Sequence, residues 1–538
     1  MAFKDIENIL PLVQKPARYI GTELNSVHKK WETTPVKICL AVPDLYEIGM
    51  SNMGLQILYH VLNSEPDTLC ERVFAPYPDL RKIIEEIFSL ESFQPLKNFD
   101  LIGFSAQHEL TYTNILTILD TANIPLYRKD RDEKYPLIFA GGPSTTNPMP
   151  IADFFDFFVI GEAEEVIVEV KNFYKENKNL TREEFFKKIV QIKGIYVPSL
   201  NNPTEKRIIE NLDNVPYPTK PIVPFIQTVH DRVALEIMRG CKWGCKFCHA
   251  GYTCRPVRTR SPEKLLEIAK ETIKNTGYQE ISLLSLSTSD YPQIEKLVKL
   301  LADEFSKKKI SINIPSIRAN IKSIRLLTEI LRVRPSNLTI APEAGTQRLR
   351  DVIGKNLTEE EILGGCETAF KAGVSSIKLY FMIGLPTETE EDLTGICSLA
   401  EKIYSIGQKI SRRASITVNL STFVPKPHTP FEREAQISIE ETYEKQKIIK
   451  RMITNRKIQV RWHQAEISFL EGIFARGDNK LSKLLVTAWK MGATLDAWSE
   501  HFNFAIWQEA IKATGIDAEK YLKAKAPNEE LPYAAIKS

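Results

Sequence analysis

The stretch MRGCKWGCKFCHAG, residues 238–251, places three cysteines and a histidine in one short loop. Cys241, Cys245 and Cys248 have the spacing C-x3-C-x2-C and follow the apolar stretch VALEIMR, which predicts a strand. Lysines and a glycine separate the three thiols, and this composition is unusual for a core segment. We therefore expect the loop to bind a metal or a metal cluster, and three plain buried thiols are the least favoured alternative.

The number of available ligands separates the metal alternatives. Residues 245–249 match the C-x-x-C-H pattern of haem c attachment, but that chemistry requires an exported protein. A structural zinc site needs four ligands, whereas His249 is adjacent to Cys248 and Cys254 has a poor spacing for a closed knuckle. A four-iron cluster suits soft thiolates, and three of them leave one iron open for a substrate or cofactor. We favour the four-iron cluster and keep haem and zinc as alternatives.

The cysteine loop lies near the start of a series in which apolar strands alternate with helices. The predicted strands are VALEIMR, EISLLSLST, ISINIPSIRA, LTIAPEAG, VSSIKLYFMIGLP and ASITVNLSTFVPKP. The predicted helices are SPEKLLEIAKETIKNT, QIEKLVKLLADEFSKK, SIRLLTEILRV, EEEILGGCETAFKAG and EEDLTGICSLAEKIYSIG. Six strands are too few for a closed eight-stranded barrel, so we expect an open, partial (β/α)6 barrel of the TIM type. Its site would lie at the C-terminal ends of the strands.

A separate α/β series precedes the barrel. The predicted strands are VKICLAVP, LIGFSAQ, PLIFAGGPS and FFDFFVIGEAEE. Their continuous apolar character indicates a parallel sheet covered by helices on both faces, as in a Rossmann-like domain. Ligands of such sheets bind at the C-terminal ends of the strands, and these ends are polar or rich in glycine here. We expect a binding edge there, and His108 would line it.

The chain divides into five regions. We predict an N-terminal helical segment over residues 1–30, a Rossmann-like domain over 31–200, a proline-rich linker or extended strap over 201–228, the partial barrel over 229–435 and a helical C-terminal domain over 436–538. In the last region Glu471, Arg476 and Asp478 would close over the barrel mouth, although a salt-bridged helix surface is the more common role. The basic stretch 445–461 indicates either RNA contact or a solvated helix face.

The charge balance and the apolar content exclude several classes of protein. A net charge of +3 on 538 residues does not indicate a surface for nucleic acid or membrane. No segment approaches the ~20 apolar residues that cross a bilayer, and the N-terminus lacks a signal-peptide pattern. We therefore expect a cytoplasmic protein without a membrane partner, whose thiols stay reduced. The isolated cysteines then serve as core residues: Cys39, Cys70, Cys366 and Cys397.

The spacing of the cysteine loop and its place after the first barrel strand resemble the radical S-adenosylmethionine superfamily, as do Glu236, Arg239 and Gly240 just before it. The resemblance implies that the three loop cysteines hold a [4Fe-4S] cluster. It also implies that S-adenosylmethionine chelates the open iron, and that a one-electron reduction releases a 5′-deoxyadenosyl radical. The electron would come from a reductant such as flavodoxin or ferredoxin.

The same resemblance assigns contacts to S-adenosylmethionine at the ends of the later barrel strands. These residues are Ser287, Ser289, Ser316, Arg318, Glu343 and Gly384. The two serines Ser287 and Ser289 occupy the place of the superfamily's Gly-Gly-Glu motif, which this sequence lacks. Their oxygens and nearby carbonyls would hold the methionine ammonium, and Gly384 lies in the turn that would pack the adenine. For Arg318 and Glu343, a salt bridge at the barrel mouth is an equal alternative.

The loop after the first N-terminal strand has the pattern Asp44-x-Tyr46-x-x-Gly49. It resembles the D-x-H-x-x-G motif of cobalamin-binding domains, with tyrosine in place of the histidine that ligates cobalt. A phenol with a pKa of about 10 is not an equivalent ligand. Cobalamin would therefore bind without a protein imidazole, or the domain has lost this cofactor. Later loops resemble those that contact the corrin in this domain family: Gly141, Gly142, Ser144, Gly161 and Glu162. Small residues also recur at such turns for steric reasons alone.

The order of domains resembles cobalamin-binding radical S-adenosylmethionine enzymes, and most closely a family with this N-terminal domain, radical core and helical tail. The resemblance implies transfer of a methyl group to an unactivated carbon, or another functionalisation of that carbon, in a small molecule or in RNA. One alternative is a cobalamin-independent radical enzyme that methylates or methylthiolates RNA. Another is a non-catalytic protein that binds zinc or RNA.

Overall fold

The computed structural model describes residues 3–314 and 338–538, and its N-terminal part is built on one six-stranded sheet. The strands are β1 (Val36–Val42), β2 (Thr68–Phe74), β3 (Leu101–Ser105), β4 (Leu137–Gly141), β5 (Phe157–Val159) and β6 (Ile195–Tyr196). The surrounding helices are Phe3–Ile9, Tyr46–Met50, Met53–Ser64, Pro78–Arg81, Tyr112–Thr121, Val166–Glu176 and Arg182–Ile189. The strand order is β2-β1-β3-β4-β5-β6, and only β6 runs antiparallel to its neighbour. The expected parallel α/β sheet is confirmed, and its C-terminal edge has the switch point between β1 and β3 where ligands bind.

Strand β2 does not appear in the sequence-based prediction because charged residues interrupt its apolar pattern. Arg72 in this strand is 1% exposed, and its guanidinium lies 2.8 Å from Glu23 and 2.6 Å from Glu91. A buried charge persists when it is paired and hydrogen-bonded, so a core strand can have a polar sequence. Only the contacts with residues distant in sequence identify β2 as core.

The predicted linker is held in place by the end of the chain. Its strand β7 (Thr204–Glu205) runs parallel to the last strand of the protein, β17 (Ile536–Lys537). Further along, the Tyr217 hydroxyl donates to the carbonyl oxygen of Ala234 at 2.9 Å. The proline-rich segment therefore packs as a strap across the first barrel strand, not as a free connection.

The barrel region consists of parallel strands that alternate with helices, as predicted. Strands β8 (Val233–Glu236), β11 (Glu280–Leu284) and β12 (Ser311–Asn313) form one sheet, and β9 (Met238–Arg239) pairs with β10 (Arg258–Thr259). Strands β13 (Leu338–Glu343), β14 (Ser376–Ile383), β15 (Ser415–Thr422) and β16 (Ile458–Trp462) form a second sheet. The helices are His249–Thr253, Pro262–Thr276, Ile294–Phe305, Gln347–Val352, Glu359–Lys371, Glu390–Ile410 and Ile439–Met452. The predicted helix at residues 323–333 lies outside the described residues.

Strand β16 is a seventh parallel strand inside the region predicted to be entirely helical. It pairs with β15 over five residues, from Ile458 to Trp462. Only Ile458 and Val460 pack against the helices, while Gln459 and Arg461 are exposed, so the segment lacks the apolar run of the earlier strands. The basic stretch 445–461 is thus not a single helix but the end of one helix, a turn and an edge strand.

The C-terminal helices pack against the N-terminal domain. They are Ala465–Ala475, Leu481–Lys490 and Phe504–Thr514. Their apolar residues share one core with the helix Tyr112–Thr121, and Asn147 donates to the carbonyl oxygens of Ala475 and Gly477 at 3.0 Å each. No helix in the described ranges is long and apolar enough to cross a membrane.

Candidate active site

The cysteine loop connects β9 to the helix His249–Thr253 and lies beyond the C-terminal end of β8. Gly240 begins the loop with a φ of +85°, which is a left-handed conformation. A Cβ atom at this position would lie 2.6 Å from the carbonyl oxygen of Pro256 and 2.8 Å from that of Cys254. Only glycine allows both this φ and this close approach of two backbone segments.

Two later segments anchor the middle of the loop. The Lys246 N–H donates to the carbonyl oxygen of Ile353 at 2.9 Å, and the Phe431 N–H donates to the carbonyl oxygen of Lys246 at 3.2 Å. Phe247 packs against the apolar cluster that contains Ile353 and Phe431. Apolar packing therefore limits the access of water to this side of the loop.

The three loop thiols are half-buried, and none of the eight cysteines forms a disulfide. The Gly251 N–H donates to Cys248 Sγ at 3.3 Å. Burial, together with the neighbouring Cys245 and Cys241, raises the pKa of the Cys248 thiol. Charge on the two neighbouring thiols thus opposes ionisation of Cys248, and a bound metal cluster would deprotonate the thiols outright.

The donor set of the loop fits a cluster better than a single zinc ion. The loop offers three thiolates, whereas a structural zinc site is closed by four ligands. A four-iron cluster binds each thiolate at a separate iron and can leave one iron open, so the three cysteines fit it.

Neither neighbouring candidate completes a four-ligand zinc site. The His249 Nε2 atom lies 3.0 Å from Thr146 Oγ1, and burial of the ring lowers the pKa of His249 to about 4. Burial raises the pKa of the Cys254 thiol, and the charged groups that act on it include Glu162 and Lys206. The third cysteine is thus followed by a neutral histidine that faces another domain, and the fourth cysteine lies among charged residues of the domain interface.

Asp290 fixes the cysteine loop to the end of β11. Its Oδ2 atom accepts from Trp243 Nε1 at 2.5 Å and from Ser287 Oγ at 2.6 Å, and its Oδ1 atom lies 2.8 Å from Lys242 Nζ. Burial opposes ionisation, but these donors outweigh it and lower the pKa of Asp290. Ser287 and Ser289 therefore lie beside the loop, as expected for contacts of S-adenosylmethionine, and the Ser287 hydroxyl already has a partner.

Glu343, the last residue of β13, also approaches the cysteines. Its φ of +69° is a left-handed conformation that costs a residue with a side chain about 1–2 kcal/mol, and it interrupts the register with β14. The Glu343 carboxylate lies 3.1 Å from Lys355 Nζ and is one of the charges that raise the pKa of Cys248. A strained backbone conformation of this kind is typical of a functional site, and the ion pair with Lys355 keeps the salt-bridge alternative open.

Gly384 follows β14 with a φ of +77°, and a Cβ atom there would lie 2.6 Å from the Ile437 side chain. Its N–H donates to the Glu388 carboxylate at 2.9 Å. This turn is at the same end of the sheet as Glu343. The remaining two predicted contacts of S-adenosylmethionine, Ser316 and Arg318, lie outside the described residues.

The C-terminal edge of the N-terminal sheet faces the cysteine loop. Thr146, which follows β4, contacts His249 through its hydroxyl, and its carbonyl oxygen accepts from His428 Nε2 at 3.0 Å. Because His249 directly follows Cys248, the sheet edge and the loop border a single site between two domains.

Several residues predicted to contact cobalamin have clear roles in the fold. Tyr46 is 2% exposed, its hydroxyl donates to Glu23 Oε1 at 2.8 Å, and burial raises its pKa well above the usual value. The Asp44 carboxylate accepts from Trp498 Nε1 at 2.9 Å. These two side chains therefore have partners within the protein, and their contact with cobalamin stays a prediction.

The same holds for three other members of that set. Glu162 accepts two hydrogen bonds from the Arg258 guanidinium at 2.7 and 2.8 Å, which ties the N-terminal domain to β10. A Cβ atom at Gly161 would lie 2.3 Å from a backbone carbonyl oxygen, and one at Gly49 would lie 2.2 Å from the Phe74 ring. Steric demand alone accounts for both glycines.

The ends of β3 and β4 form the open part of the edge. Gly141 and Gly142 are partly exposed, and the φ of Gly142 is +112°, with a Cβ atom there only 2.7 Å from a backbone oxygen. Ser144 is buried below them, while Gln107 is exposed and His108 half-exposed. Exposed glycine backbone between polar side chains fits a flat ligand that lies against the edge.

A buried charged group joins three domains beside this edge. The Lys426 ammonium lies 2.8 Å from Glu109 and 2.8 Å from Glu471, and His108 Nε2 lies 3.7 Å from Glu471. The two carboxylates raise the pKa of Lys426 against the effect of its burial. His108 and Glu471 are predicted separately from the sequence, as edge lining and lid, but their partners Glu109 and Lys426 are not. The ammonium occupies the position that a metal ion would take between these carboxylates.

Comparisons with known proteins agree with this geometry. The model of the Radical SAM superfamily, where SAM denotes S-adenosylmethionine, matches residues 235–400, and a model of radical SAM N-terminal domains matches residues 54–198. An uncharacterized protein of Methanocaldococcus jannaschii is 31% identical over 500 residues, which cover 88% of this chain and 98% of that protein. An uncharacterized methyltransferase of Pyrococcus horikoshii is 24% identical over 377 residues, which cover 65% of this chain and 73% of that protein.

A solved structure shares the fold. The radical S-adenosylmethionine methyltransferase TsrM from Kitasatospora setae, determined with cobalamin and a [4Fe-4S] cluster bound, superposes with a TM-score of 0.53 at 11% identity. The match covers 89% of this chain and 99% of TsrM.

The fold and the three-cysteine loop define an α/β radical S-adenosylmethionine enzyme. This chain belongs to the radical S-adenosylmethionine superfamily, in which three cysteines of such a loop hold a [4Fe-4S] cluster. Cys241, Cys245 and Cys248 lie in a loop of this kind within the matched residues, and their ligation of a cluster stays a prediction.

Proposed function

We propose that this enzyme transfers a methyl group to an unactivated carbon, or otherwise functionalises that carbon, with cobalamin bound between the N-terminal domain and the barrel. The observation that carries the proposal is the contact between Thr146 and His249, which brings the edge of the N-terminal sheet to the cysteine loop. TsrM, which is a methyltransferase with cobalamin bound, and the methyltransferase of Pyrococcus horikoshii support this direction.

The open edge at β3 and β4 is where cobalamin would lie. Gly141 and Gly142 offer exposed backbone, and Gln107 and His108 offer polar side chains around it. Tyr46 would not ligate cobalt, because its hydroxyl is buried against Glu23. The cofactor would therefore bind through contacts with the backbone and without this tyrosine. When bound, cobalamin supplies a carrier for the methyl group.

The residues of this chain hold and shield the reactive groups. The three cysteines would ligate the cluster, which supplies the electron that cleaves S-adenosylmethionine. Asp290 orients the loop through Trp243, and Phe247 packs beside it to exclude water. Ser287 and Glu343 lie where they would hold the methionine part of S-adenosylmethionine. A reducing cytoplasm and a reductant such as flavodoxin or ferredoxin would keep the thiols and the cluster functional.

Anaerobic reconstitution of the full chain with iron, sulfide and cobalamin tests the proposal. We expect brown protein that retains cobalamin and forms both 5′-deoxyadenosine and S-adenosylhomocysteine from S-adenosylmethionine. Protein that forms 5′-deoxyadenosine but retains no cobalamin would favour the cobalamin-independent alternative, a radical enzyme that modifies RNA. Deoxyadenosine without S-adenosylhomocysteine would indicate a radical reaction other than methyl transfer. Colourless protein with one zinc ion would overturn the assignment.

A further inference from the structure

The inner face of the barrel carries an unusual set of hydrogen-bond donors on β14, β15 and β16. Alternate residues of these strands, such as Ile377, Val418 and Ile458, pack against the surrounding helices. The residues between them therefore point to the opposite face of the sheet, into the barrel lumen. These residues are Lys378, Tyr380, Thr417, Asn419, Gln459 and Arg461. Barrel interiors are usually filled by layers of branched apolar side chains, so this polar face indicates another role.

The register of the strands brings the donors together. Tyr380 pairs with Asn419, and Asn419 pairs with Arg461. Lys378 lies one layer deeper, diagonal to Asn419. Neighbouring strands are ~4.8 Å apart, so the long side chains of Lys378 and Arg461 reach the space in front of Asn419.

Two residues of this set are cations. Neither Lys378 nor Arg461 forms an ion pair with any residue that the structure describes, and Arg461 donates to the neutral Gln459 side chain at 3.4 Å. In the other barrel sheet, the carboxylate of Glu280 on β11 is paired with Arg232 at 2.9 Å. The two cations therefore remain available to an anion in the lumen.

The amide of Asn419 has an unsatisfied donor at the centre of this space. Its Nδ2 atom is buried and has no hydrogen-bond partner among the described residues. An unpaired buried donor is costly, and an acceptor that enters the lumen would remove the cost. The orphaned donor and the two unpaired cations thus indicate the same kind of ligand.

We propose that Lys378, Asn419 and Arg461 form a cradle for the anionic group, a carboxylate or a phosphate, of a small-molecule substrate. This inference rests on the proposed function and specifies its substrate class. A guanidinium binds either anion through two parallel hydrogen bonds, and the lysine adds a second charge. Phosphates of a polynucleotide follow surface grooves, whereas the Asn419 Nδ2 atom at the centre of this cradle is buried.

The cradle also limits the length of the substrate. Asn419 lies three residues before Thr422, the last residue of β15. At ~3.3 Å per residue, the cradle is about 10 Å below the strand ends where the cysteine loop lies. The reacting carbon would therefore lie about 10 Å from the anionic group.

Protection of Arg461 from phenylglyoxal, an arginine-specific reagent, tests the cradle in the reconstituted full chain. Mass spectrometry measures the modification of each arginine, with inorganic phosphate or benzoate as the probe. With a probe at about ten times its Kd, we expect modification of Arg461 to slow about tenfold by mass action. The exposed Arg412, in the turn before β15, is the internal control and should react at an unchanged rate.

Variants of the second cation show whether the protection comes from the cradle. Lys378→Gln should raise the Kd of the probe, measured from the protection of Arg461, about tenfold. Lys378→Arg keeps the charge and should leave the Kd nearly unchanged. Lys447→Gln removes an exposed lysine from the helix outside the same sheet and should have no effect. Iron content and thermal unfolding verify that each variant is folded.

The outcomes separate this proposal from the proposed function, because protection requires no turnover. Protection by phosphate indicates a phosphorylated substrate, and protection by benzoate indicates a carboxylic acid. Absence of protection by both probes would overturn the cradle, even if the enzyme forms 5′-deoxyadenosine. Protection by an RNA oligonucleotide alone would also overturn it. Protection that persists in Lys378→Gln would mean an adventitious ion only.

Discussion

At the scale of single residues, the loop cysteines and Cys254 differ in surroundings although they are close in sequence. Cys245→Ala removes one predicted cluster ligand and should abolish iron retention and formation of 5′-deoxyadenosine. The iron that lacks its thiolate would be exposed to solvent, and the cluster would be lost. The matched control is Cys254→Ser, since that thiol lies near Glu162 and Lys206. We expect this variant to retain iron at the wild-type level in an iron and sulfide assay. Equal loss of iron in both variants would contradict the assignment of ligands.

His108 gives the protein a pH-dependent stability. Burial opposes protonation of the ring, but Glu471 and Glu109 outweigh it and raise the pKa of His108. The protonated ring therefore stabilises the fold below the unfolded-state pKa, and this contribution is lost as the pH rises through the folded-state pKa. Between about pH 6 and pH 8, we expect Tm to fall more steeply in the wild type than in His108→Gln.

A second histidine provides the control for this prediction. Burial lowers the pKa of His60, so its contribution has the opposite sign and disfavours the fold at acid pH. The variant His60→Gln should therefore change the slope of Tm against pH in the other direction. Identical slopes for His108→Gln and the wild type would show that the carboxylates do not act on His108.

At the scale of elements, substitution of two glycines with similar φ values distinguishes the cost of backbone strain from the cost of a steric clash. Gly277, at the end of the helix Pro262–Thr276, has a φ of +73° and open space around it, so Gly277→Ala should cost about 1 kcal/mol. Gly240 adds a backbone oxygen 2.6 Å from the new Cβ atom, so Gly240→Ala should cost clearly more and also lower iron retention. Urea unfolding and iron analysis measure both effects, and equal costs would contradict the steric explanation.

The strands show which elements a sequence can predict. Strands β1, β3 and β4 are continuous apolar runs and appear directly in the sequence, as do the strands that flank the cysteine loop. Strand β2 carries Arg72, whose two carboxylate partners lie elsewhere in the chain, and β16 is an edge strand with two exposed polar residues. Both depend on tertiary partners, and a local pattern does not contain them.

At the scale of the whole molecule, Glu162 and Arg258 connect the N-terminal domain to the barrel. Their side chains are 15% and 8% exposed, and removal of one charge leaves the other buried without compensation. Glu162→Gln should therefore destabilise the protein by about 3 kcal/mol in urea unfolding. Glu183→Gln breaks an exposed pair with Lys187 and should lower the free energy of unfolding far less. Comparable costs would show that the domain interface contributes little.

Some features of the active site can be predicted from the local sequence, whereas others depend on contacts that form only in the folded protein. The cysteine loop is local, so its spacing alone predicts the ligands. The contact between Lys426 and Glu109 joins residues 317 positions apart, and the cradle of Lys378, Asn419 and Arg461 requires the register of three strands. Tyr46 shows the converse, because a motif-like position proves to be a buried partner of Glu23.

The contact of Thr146 with His249 would couple binding of the iron–sulfur cluster to docking of the N-terminal domain on the barrel. His249 is the residue next to a cluster ligand, so the free energy of cluster binding and that of domain docking share one short stretch of backbone. By thermodynamic linkage, if cluster binding favours domain docking by a given free energy, then domain docking favours cluster binding by the same free energy. Iron starvation would then weaken the interface between the N-terminal domain and the barrel, in addition to removing the cluster.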